Sequence, residues 1–266
     1  MNLRKRTRPG SIKTDITLRQ KKRIVILGAT SAIAEHCARL WVQDSRADFV
    51  LLARDASRAE RIAADLRVRG QHSTVEVVPA GFTEPGEIET LVAAAWGPGV
   101  DVVLIAHGML PDQQACERDL RACNTALTVN AISPVLCAEA FAKRMAQQGH
   151  GTLAVIGSVA GDRGRKSNYI YGAAKGLVER YMQGLRHRFA GTAIKIVLIK
   201  PGPTDTPMTA HLKATGAKLA PVEQVAQQIV AGIGRGQQVV YTPGKWRLIM
   251  LIIRHLPPFV FNKLNI

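Results

Sequence analysis

Short runs of apolar, mostly β-branched residues alternate along the chain with longer segments in which apolar residues recur every three or four positions. Runs of the first kind are typical of buried strands, and the second spacing is typical of helices that pack on one face. The predicted strands are residues 23–27, 49–52, 75–78, 102–105, 153–156, 194–199 and 239–241. The predicted helical segments are residues 31–44, 56–69, 85–96, 113–147, 168–190 and 221–234. A break near Asn124 is one interpretation of the long segment 113–147.

The predicted strands are apolar throughout, so both faces of their sheet must be covered. Their alternation with helices favours parallel pairing. The pattern therefore predicts an α/β fold, a Rossmann-type doubly wound parallel seven-stranded sheet with helices on both faces. We expect one domain over residues 23–243, a basic extension over residues 1–22, and an apolar and basic C-terminal segment over residues 244–266.

Positive charge is concentrated at the two ends of the chain. The formal net charge is +16, residues 1–23 hold nine Lys and Arg against one acid, and residues 244–266 hold four and no acid. Such ends suit lipid head groups or nucleic acid, although a solvated tail has the same composition. No recognition motif or aromatic platform accompanies them, so nucleic acid is not the expected partner. The C-terminal segment could lie on a membrane surface or pack on the domain or a second subunit.

No stretch reaches the roughly 18 apolar residues that span a membrane, and no apolar core of a secretory signal follows the basic start. The four cysteines form no pair or cluster with metal-ligand spacing, so no metal site is predicted. We expect a protein of the reducing cytoplasm, with association with the inner face of the membrane as a further option.

A nucleotide site is predicted where the first strand ends at Gly28. Glycine allows a tight turn there, and the N-terminus of the next helix presents N–H groups to a pyrophosphate. Ala32 and Ala34 stand where two further glycines are common, so this motif taken alone is weak.

The end of the second strand bears on the choice of cofactor. Ala53 occupies its tip and Arg54 follows. An arginine there suits the 2′-phosphate of NADP(H), which is therefore favoured, with NAD(H) as the alternative. Asp55 is interpreted either as a ligand of the ribose or as the cap of helix 56–69.

A catalytic group is predicted from Tyr171 and Lys175, which stand four residues apart on one face of a helix. A neighbouring ammonium is expected to lower the pKa of the Tyr171 phenol towards the range of general acid–base catalysis. Ser158 follows the fifth strand and is expected to face the same crevice, because parallel sheets bind ligands at the carboxyl ends of their strands. Asn130 lies inside the long helical segment, where a lone Asn is usually solvated or bonded to the backbone.

Together these motifs resemble those of the short-chain dehydrogenase/reductase family, whose order and spacing they share over residues 22–243. They are Gly28-Ala-Thr-Ser, Asn130, Ser158, Tyr171-x-x-x-Lys175 and Pro201-Gly202-Pro-Thr-Asp-Thr206.

The resemblance implies a Ser-Tyr-Lys-Asn tetrad. Tyr171 would donate a proton to the substrate carbonyl oxygen, and Ser158 would bond to the same oxygen. Lys175 would bind the nicotinamide ribose, and Asn130 would hold a water of a proton relay. The resemblance places the cofactor on Gly28, Thr30, Ser31, Ala32, Ile33, Arg54, Ala106, Gly108, Tyr171, Lys175, Pro201, Gly202, Thr204 and Thr206.

The chain departs from the family's pattern at two places. Ala106-His107-Gly108 stands where Asn-Ala-Gly is frequent, and Gly81-Phe82 stands where an Asp and a hydrophobic residue are frequent. We interpret His107 as a packed histidine without a catalytic role, and the usual adenine contact is not predicted.

A narrower similarity is to reductases of decaprenylphosphoryl-2-keto-erythro-pentose. It lies in Ala106-x-Gly-x-Leu110, in Met208-x-Ala-His-Leu-Lys213 and in the spacing of Arg, Pro and Phe residues after Arg247. That resemblance implies reduction of a keto-sugar on a polyprenyl-phosphate carrier and a flavin-dependent oxidase as partner. The resemblance to the wider family implies a homo-oligomer.

Three basic residues between Ser158 and Tyr171 are candidates for the substrate phosphate, or they form a solvated loop: Arg163, Arg165 and Lys166. The alternative functions are reduction of a soluble ketone, 3-oxoacyl or steroid-type substrate, and a non-catalytic role in sensing a dinucleotide or binding nucleic acid.

Overall fold

The computed structural model describes residues 21–44 and 47–264. Almost all of the predicted basic extension, residues 1–20, lies outside the described residues. Seven strands form one sheet: β1 (Lys22–Leu27), β2 (Ala47–Ala53), β3 (Val75–Pro79), β4 (Val102–Ile105), β5 (His150–Ile156), β6 (Ala193–Pro201) and β7 (Val239–Thr242). Their order is β3-β2-β1-β4-β5-β6-β7 and every neighbouring pair is parallel, which confirms the predicted fold class.

Helices connect the strands and cover both faces of the sheet. They are α1 (Ala32–Asp44), α2 (Ala56–Arg69), α3 (Pro85–Trp96), α4 (Gln113–Arg118), α5 (Leu120–Leu127), α6 (Ser133–Gln148), α7 (Tyr169–Arg188), α8 (Ala210–Ala214), α9 (Val222–Gly234), α10 (Trp246–His255) and α11 (Pro258–Phe261). One turn of π-helix, Thr128–Ile132, joins α5 to α6, and short 3-10 helices lie at Val159–Asp162 and Pro207–Thr209.

Two apolar layers hold the helices on the sheet. Alternate residues of β1 point to opposite faces, so Ile24 and Ile26 pack with α1, α2 and α9, while Val25 and Leu27 pack with α3, α6 and α7. This burial on both faces explains why the strands are apolar throughout.

The long predicted helix 113–147 is divided differently from the expectation. The chain breaks at Asp119, whose extended backbone ends α4 and whose carboxylate accepts a hydrogen bond from Arg121 N at 2.8 Å to begin α5. The break suggested near Asn124 is therefore wrong, because an aspartate able to cap a helix stands five residues earlier.

One helical stretch of the described chain, Leu120–Gln148, has the length and apolar composition of a membrane span. Half of its most apolar window is buried inside the fold, as is usual for a core helix of a globular domain.

The fold leaves a crevice at the carboxyl ends of the strands. Strand β1 lies between β2 and β4, so the connections after β1 and β4 leave the sheet toward opposite faces. Such a reversal of strand order is where doubly wound sheets bind ligands.

Candidate active site

The turn after β1 is built for close approach of a ligand to the backbone. Gly28 has φ 72°, and a Cβ there would lie 2.6 Å from the backbone nitrogen of His107, so no other residue fits this turn. The turn is pinned to β2 by a 2.9 Å hydrogen bond from Gly28 N to Leu52 O. A cavity of about 600 Å³, called here the dinucleotide cavity, lies over it. It is lined by all five predicted residues of this segment, Gly28, Thr30, Ser31, Ala32 and Ile33.

Two arginines line the same cavity beyond the end of β2. Arg54 was predicted there, and Arg58, one helical turn later, was not singled out from the sequence. The carboxylate of Asp55 accepts a 2.9 Å hydrogen bond from Arg58 N and so caps α2. Asp55 was interpreted either as a ligand of the ribose or as a helix cap, and in this structure it caps the helix. The place of Arg58 in the first turn of the helix that follows β2 was the signal that could have identified it.

Phe82 and His107, which stand at the two departures from the family pattern, pack against each other. The rings of His107 and Phe82 stack with centroids 4.9 Å apart. His107 Nε2 lies 2.8 Å from the hydroxyl of Ser133, which itself donates to the carbonyl of Phe82. Because the Ser133 hydroxyl uses its proton in the bond to Phe82, it can only accept from His107. We therefore assign the imidazole proton to Nε2, which leaves Nδ1 as an acceptor.

His107 is neutral in this wall of the cavity. Burial, followed by the charges of Lys175 and Arg54, lowers its pKa to about 3. The prediction of a packed rather than a catalytic histidine agrees with this environment. Ala106 and Gly108, on either side of it, line the dinucleotide cavity as predicted.

Asn130 lies in the π-helical turn and is fully buried. Its amide nitrogen donates to Ala126 O at 3.0 Å, and its Oδ1 accepts from Met109 N at 2.9 Å. The side chain therefore fastens the segment after β4 to the helix. Single π-turns of this kind often occur at functional sites, because they widen the helix and re-aim a side chain. The sequence pattern did not predict the π-turn.

The predicted tetrad lines a second cavity of about 170 Å³, called here the catalytic cavity: Asn130, Ser158, Tyr171 and Lys175. Lys175 Nζ donates to the carbonyl of Ile156 at 3.0 Å, and it lies 5.7 Å from the centroid of the Tyr171 ring. The Ser158 hydroxyl accepts a 3.1 Å bond from Ala160 N, which starts the 3-10 helix after β5. Ser31, Gly108 and Thr206 line both cavities, so the two adjoin each other.

Glycines bring the Tyr171 helix onto the segment that carries Ser158. A Cβ on Gly172 would lie 2.9 Å from the carbonyl oxygen of Ala160, and one on Gly161 would lie 2.8 Å from the carbonyl carbon of Lys175. Both distances are shorter than Cβ contacts allow. Close backbone packing thus sets the distance between the serine and the tyrosine.

Burial changes the ionisation expected for Tyr171. Desolvation raises the pKa of the phenol, and the hydrogen bond with Ser158 lowers it by less. Burial also lowers the pKa of Lys175 to about 8. The predicted lowering of the Tyr171 pKa by Lys175 is therefore wrong for this state, because loss of water around the phenolate outweighs a charge several ångströms away. Tyr171 is a protonated phenol at neutral pH, as a proton donor must be.

The three basic residues before Tyr171 have different environments. Arg163 donates to the carbonyls of Ile253 at 2.6 Å and Leu256 at 2.7 Å, and its guanidinium lies 3.7 Å from the ring centroid of Phe261. It therefore holds the C-terminal helices, and its guanidinium already has partners inside the protein.

Of the other two, Lys166 is exposed and does not line the catalytic cavity. Arg165 does line it, and its buried Nε has no partner within the described chain. Asn168, which the sequence did not single out, lines the cavity as well and has a buried Oδ1 without a partner among the described residues.

The segment after β6 closes the catalytic cavity with four predicted residues, Pro201, Gly202, Thr204 and Thr206. The indole of Trp246 at the start of α10 occupies the space in which a Cβ on Gly202 would lie, 1.9 Å from Nε1. Thr204 is buried and donates to Gly202 O at 2.9 Å.

A buried ion network lies behind these catalytic segments. Lys200, only 1 % exposed, pairs with Asp162 and, at 2.7 Å, with Glu179. The Tyr241 hydroxyl donates to Asp162 at 3.0 Å. The network joins the 3-10 turn after Ser158, helix α7 one turn beyond Lys175, and the strand before Pro201. No motif in the sequence indicated it, since its members are far apart along the chain.

The profile of the short chain dehydrogenase family matches residues 22–217. The chain belongs to the short-chain dehydrogenase/reductase family. It is therefore an NAD(P)-dependent oxidoreductase, and a small molecule is its substrate.

Individual proteins agree with this membership. An uncharacterised oxidoreductase of Streptomyces coelicolor is 33% identical over 250 residues, which cover 91% of this chain and 95% of the relative. An uncharacterised oxidoreductase of Mycobacterium tuberculosis is 30% identical over 243 residues, covering 91% and 96%. A short-chain dehydrogenase from Sphingobium yanoikuyae, solved in complex with NADPH, superimposes with a TM-score of 0.77 at 23% identity, covering 89% of this chain and 97% of that one. The last similarity concerns the fold.

Proposed function

We propose that the protein is an NADPH-dependent reductase that converts a ketone to an alcohol, with Tyr171 as the general acid. The observation that carries the proposal is the gathering of Tyr171, Ser158, Lys175 and Asn130 in one cavity that adjoins the dinucleotide cavity. Each reduction consumes one NADPH and one proton and yields one NADP⁺ and one alcohol.

The residues of the dinucleotide cavity fit this cofactor. The bare backbone at Gly28 would receive the pyrophosphate beside the N-terminus of α1. Arg54 and Arg58 would receive the 2′-phosphate through charge-assisted hydrogen bonds, which is why NADPH is preferred over NADH in this proposal.

The bound nicotinamide supplies a hydride to the carbonyl carbon. Tyr171 donates its phenolic proton to the carbonyl oxygen as negative charge develops there, and Ser158 donates a hydrogen bond to the same oxygen. The Lys175 ammonium holds the nicotinamide ribose and stabilises the phenolate left behind. Asn130 keeps the segment after β4, which includes Met109, in place beside the substrate.

For the substrate, we propose a keto-sugar on a polyprenyl-phosphate carrier. Arg165 and Asn168 offer an unpaired donor and an unpaired acceptor in a cavity whose other walls include Leu110, Leu212 and Trp246. This combination suits a substrate with hydroxyl and phosphate groups beside an apolar chain. A flavin-dependent oxidase would then supply the ketone by oxidising the corresponding alcohol. We expect the enzyme to act in the cytoplasm as a homo-oligomer.

The reaction is tested by single-turnover oxidation of NADPH with a polyprenyl-phosphate-linked 2-keto-pentose. In Tyr171→Phe the rate should fall by roughly 10²- to 10⁴-fold, since the general acid is lost, while NADPH affinity stays unchanged. Tyr169→Phe is the matched control, because Tyr169 begins the same helix and is 42% exposed. Near-normal turnover in Tyr171→Phe would refute the mechanism.

The substrate is tested separately, with Arg165→Gln against Lys166→Gln. The first should raise KM for the phosphate-linked ketone, and the second should leave it unchanged. If a 3-oxoacyl thioester or a steroid ketone is reduced faster than the lipid-linked sugar, the reductase mechanism stands and the substrate is the soluble one.

A further inference from the structure

The C-terminal helices present an apolar face with no covering element in the described chain. We call the exposed side chains Leu248, Leu251, Ile252 and Phe259 the C-terminal face; they are 63%, 54%, 56% and 71% exposed. The first three are spaced three and four residues apart and so share one side of α10. Met250 on the opposite side is buried, which fixes the direction of the helix on the domain.

Basic residues border this face. Lys245, Arg247, Arg254 and Lys263 are all exposed, and none forms an ion pair with any residue in the described ranges. The sequence from residue 244 to 266 contains no Asp or Glu. Cations on long apolar stems beside leucine and phenylalanine are the composition of helices that lie in a lipid interface.

The charge around the C-terminal face distinguishes between two possible occupants, a second subunit and an anionic surface. A symmetric dimer through this face would set the same patch against itself, so four unpaired cations of one subunit would meet four of the other. An anionic surface instead neutralises all of them. We propose that the C-terminal face docks the protein on an anionic lipid bilayer, with the apolar side chains inserted and the basic ones at the head groups.

The face is fastened to both sides of the catalytic cavity. Arg163, five residues after Ser158, binds carbonyls at the end of α10, and Trp246 at its start packs on Gly202 and lines the cavity. Docking therefore places the mouth of the catalytic cavity near the membrane surface. The inference does not rest on the proposed substrate, because bilayer binding can be measured without turnover.

The test is co-sedimentation of the full chain with vesicles of phosphatidylcholine alone and with vesicles that also contain phosphatidylglycerol. We expect binding to the anionic vesicles only, weakened by added salt as screening requires. The double variant Leu251→Ser, Ile252→Ser should bind roughly tenfold less, since two inserted side chains are lost. Val68→Ser is the matched control, because Val68 is 80% exposed on α2, away from this face.

Two results would overturn the proposal. One is binding to anionic vesicles that is equal in the double variant and the wild type. The other is a wild-type dimer in lipid-free solution that the double variant converts to a monomer, as seen by sedimentation velocity, which would make the face a subunit interface. The affinity for NADPH, measured without vesicles, and the circular dichroism spectrum should be unchanged in the double variant. These two controls separate loss of docking from loss of folding.

Discussion

The two halves of the crevice differ in whether their basic side chains have partners inside the protein. Beyond β1, β2 and β4, Arg54 and Arg58 line a solvent-open cavity, and neither guanidinium has an ion-pair partner among the described residues. In the half formed by β5, β6 and β7, Lys200 and Arg163 are committed to partners inside the protein. In the first half these donors stay available for a ligand that arrives from solvent. In the second half Lys200 and Arg163 hold catalytic segments in place, and Arg165 is the exception, with an Nε in the catalytic cavity that has no partner in the described chain.

This contrast explains how one chain combines an open site with a fixed one. Catalysis requires Ser158 and Tyr171 at set positions, and buried charge pairs with defined geometry restrict movement more than apolar contacts do. A dinucleotide site instead gains affinity from donors that have no competing partner.

The largest effect is expected from replacing Lys200, the cation at the centre of the buried network. In Lys200→Met, the fully buried Asp162 and the partly buried Glu179 lose their cation, so the free energy of unfolding should fall by about 3–5 kcal/mol. Guanidinium denaturation measures this. The matched control is Lys213→Met, which removes an exposed pair with Asp205 and should cost less than about 1 kcal/mol. Equal losses in the two variants would show that the network has no special structural role.

The open half is tested by Arg54→Ala. Loss of its charge-assisted bonds to a 2′-phosphate should weaken NADPH binding by roughly 10- to 100-fold and leave NADH binding unchanged. Fluorescence titration gives both dissociation constants. Arg61→Ala, an exposed arginine of α2 outside the dinucleotide cavity, is the control. An equal loss for both cofactors would mean that Arg54 does not recognise the 2′-phosphate.

The smallest effect concerns the charge on Lys175, whose pKa burial lowers to about 8 from an ordinary 10.5. Above about pH 8 the ammonium loses its proton, so kcat/KM for reduction should decline there. Lys175→Met should have low activity that does not change around this pH. A wild-type profile that is flat to pH 10 would contradict the assigned role.

Stability should change in the opposite direction over the same range. Between about pH 8 and 10.5, Lys175 has largely lost its proton in the folded protein but still carries it in the unfolded chain. The unfolded state therefore binds more protons than the folded state over this range. Its contribution to the free energy of unfolding therefore rises with pH while activity falls. Denaturation of wild type and Lys175→Met at both ends of this range separates the two effects.

Local patterns along the chain were sufficient to predict several parts of this protein. Apolar runs and helical spacing predicted all seven strands in a parallel sheet, since both faces must be covered. Fixed spacings predicted Gly28, Ser158, Tyr171 and Lys175, because a tight turn and a shared helix face are properties of neighbouring residues.

The partner of each charged group, in contrast, depends on how the whole chain folds. Arg163 and Arg165 stand two residues apart in the sequence, yet one holds the C-terminal helices and the other lines the catalytic cavity. The Lys200 network and the raised pKa of Tyr171 depend on burial and on residues distant along the chain. Local spacing carries no information about desolvation, which is a property of the whole packed molecule, and desolvation is what sets both effects.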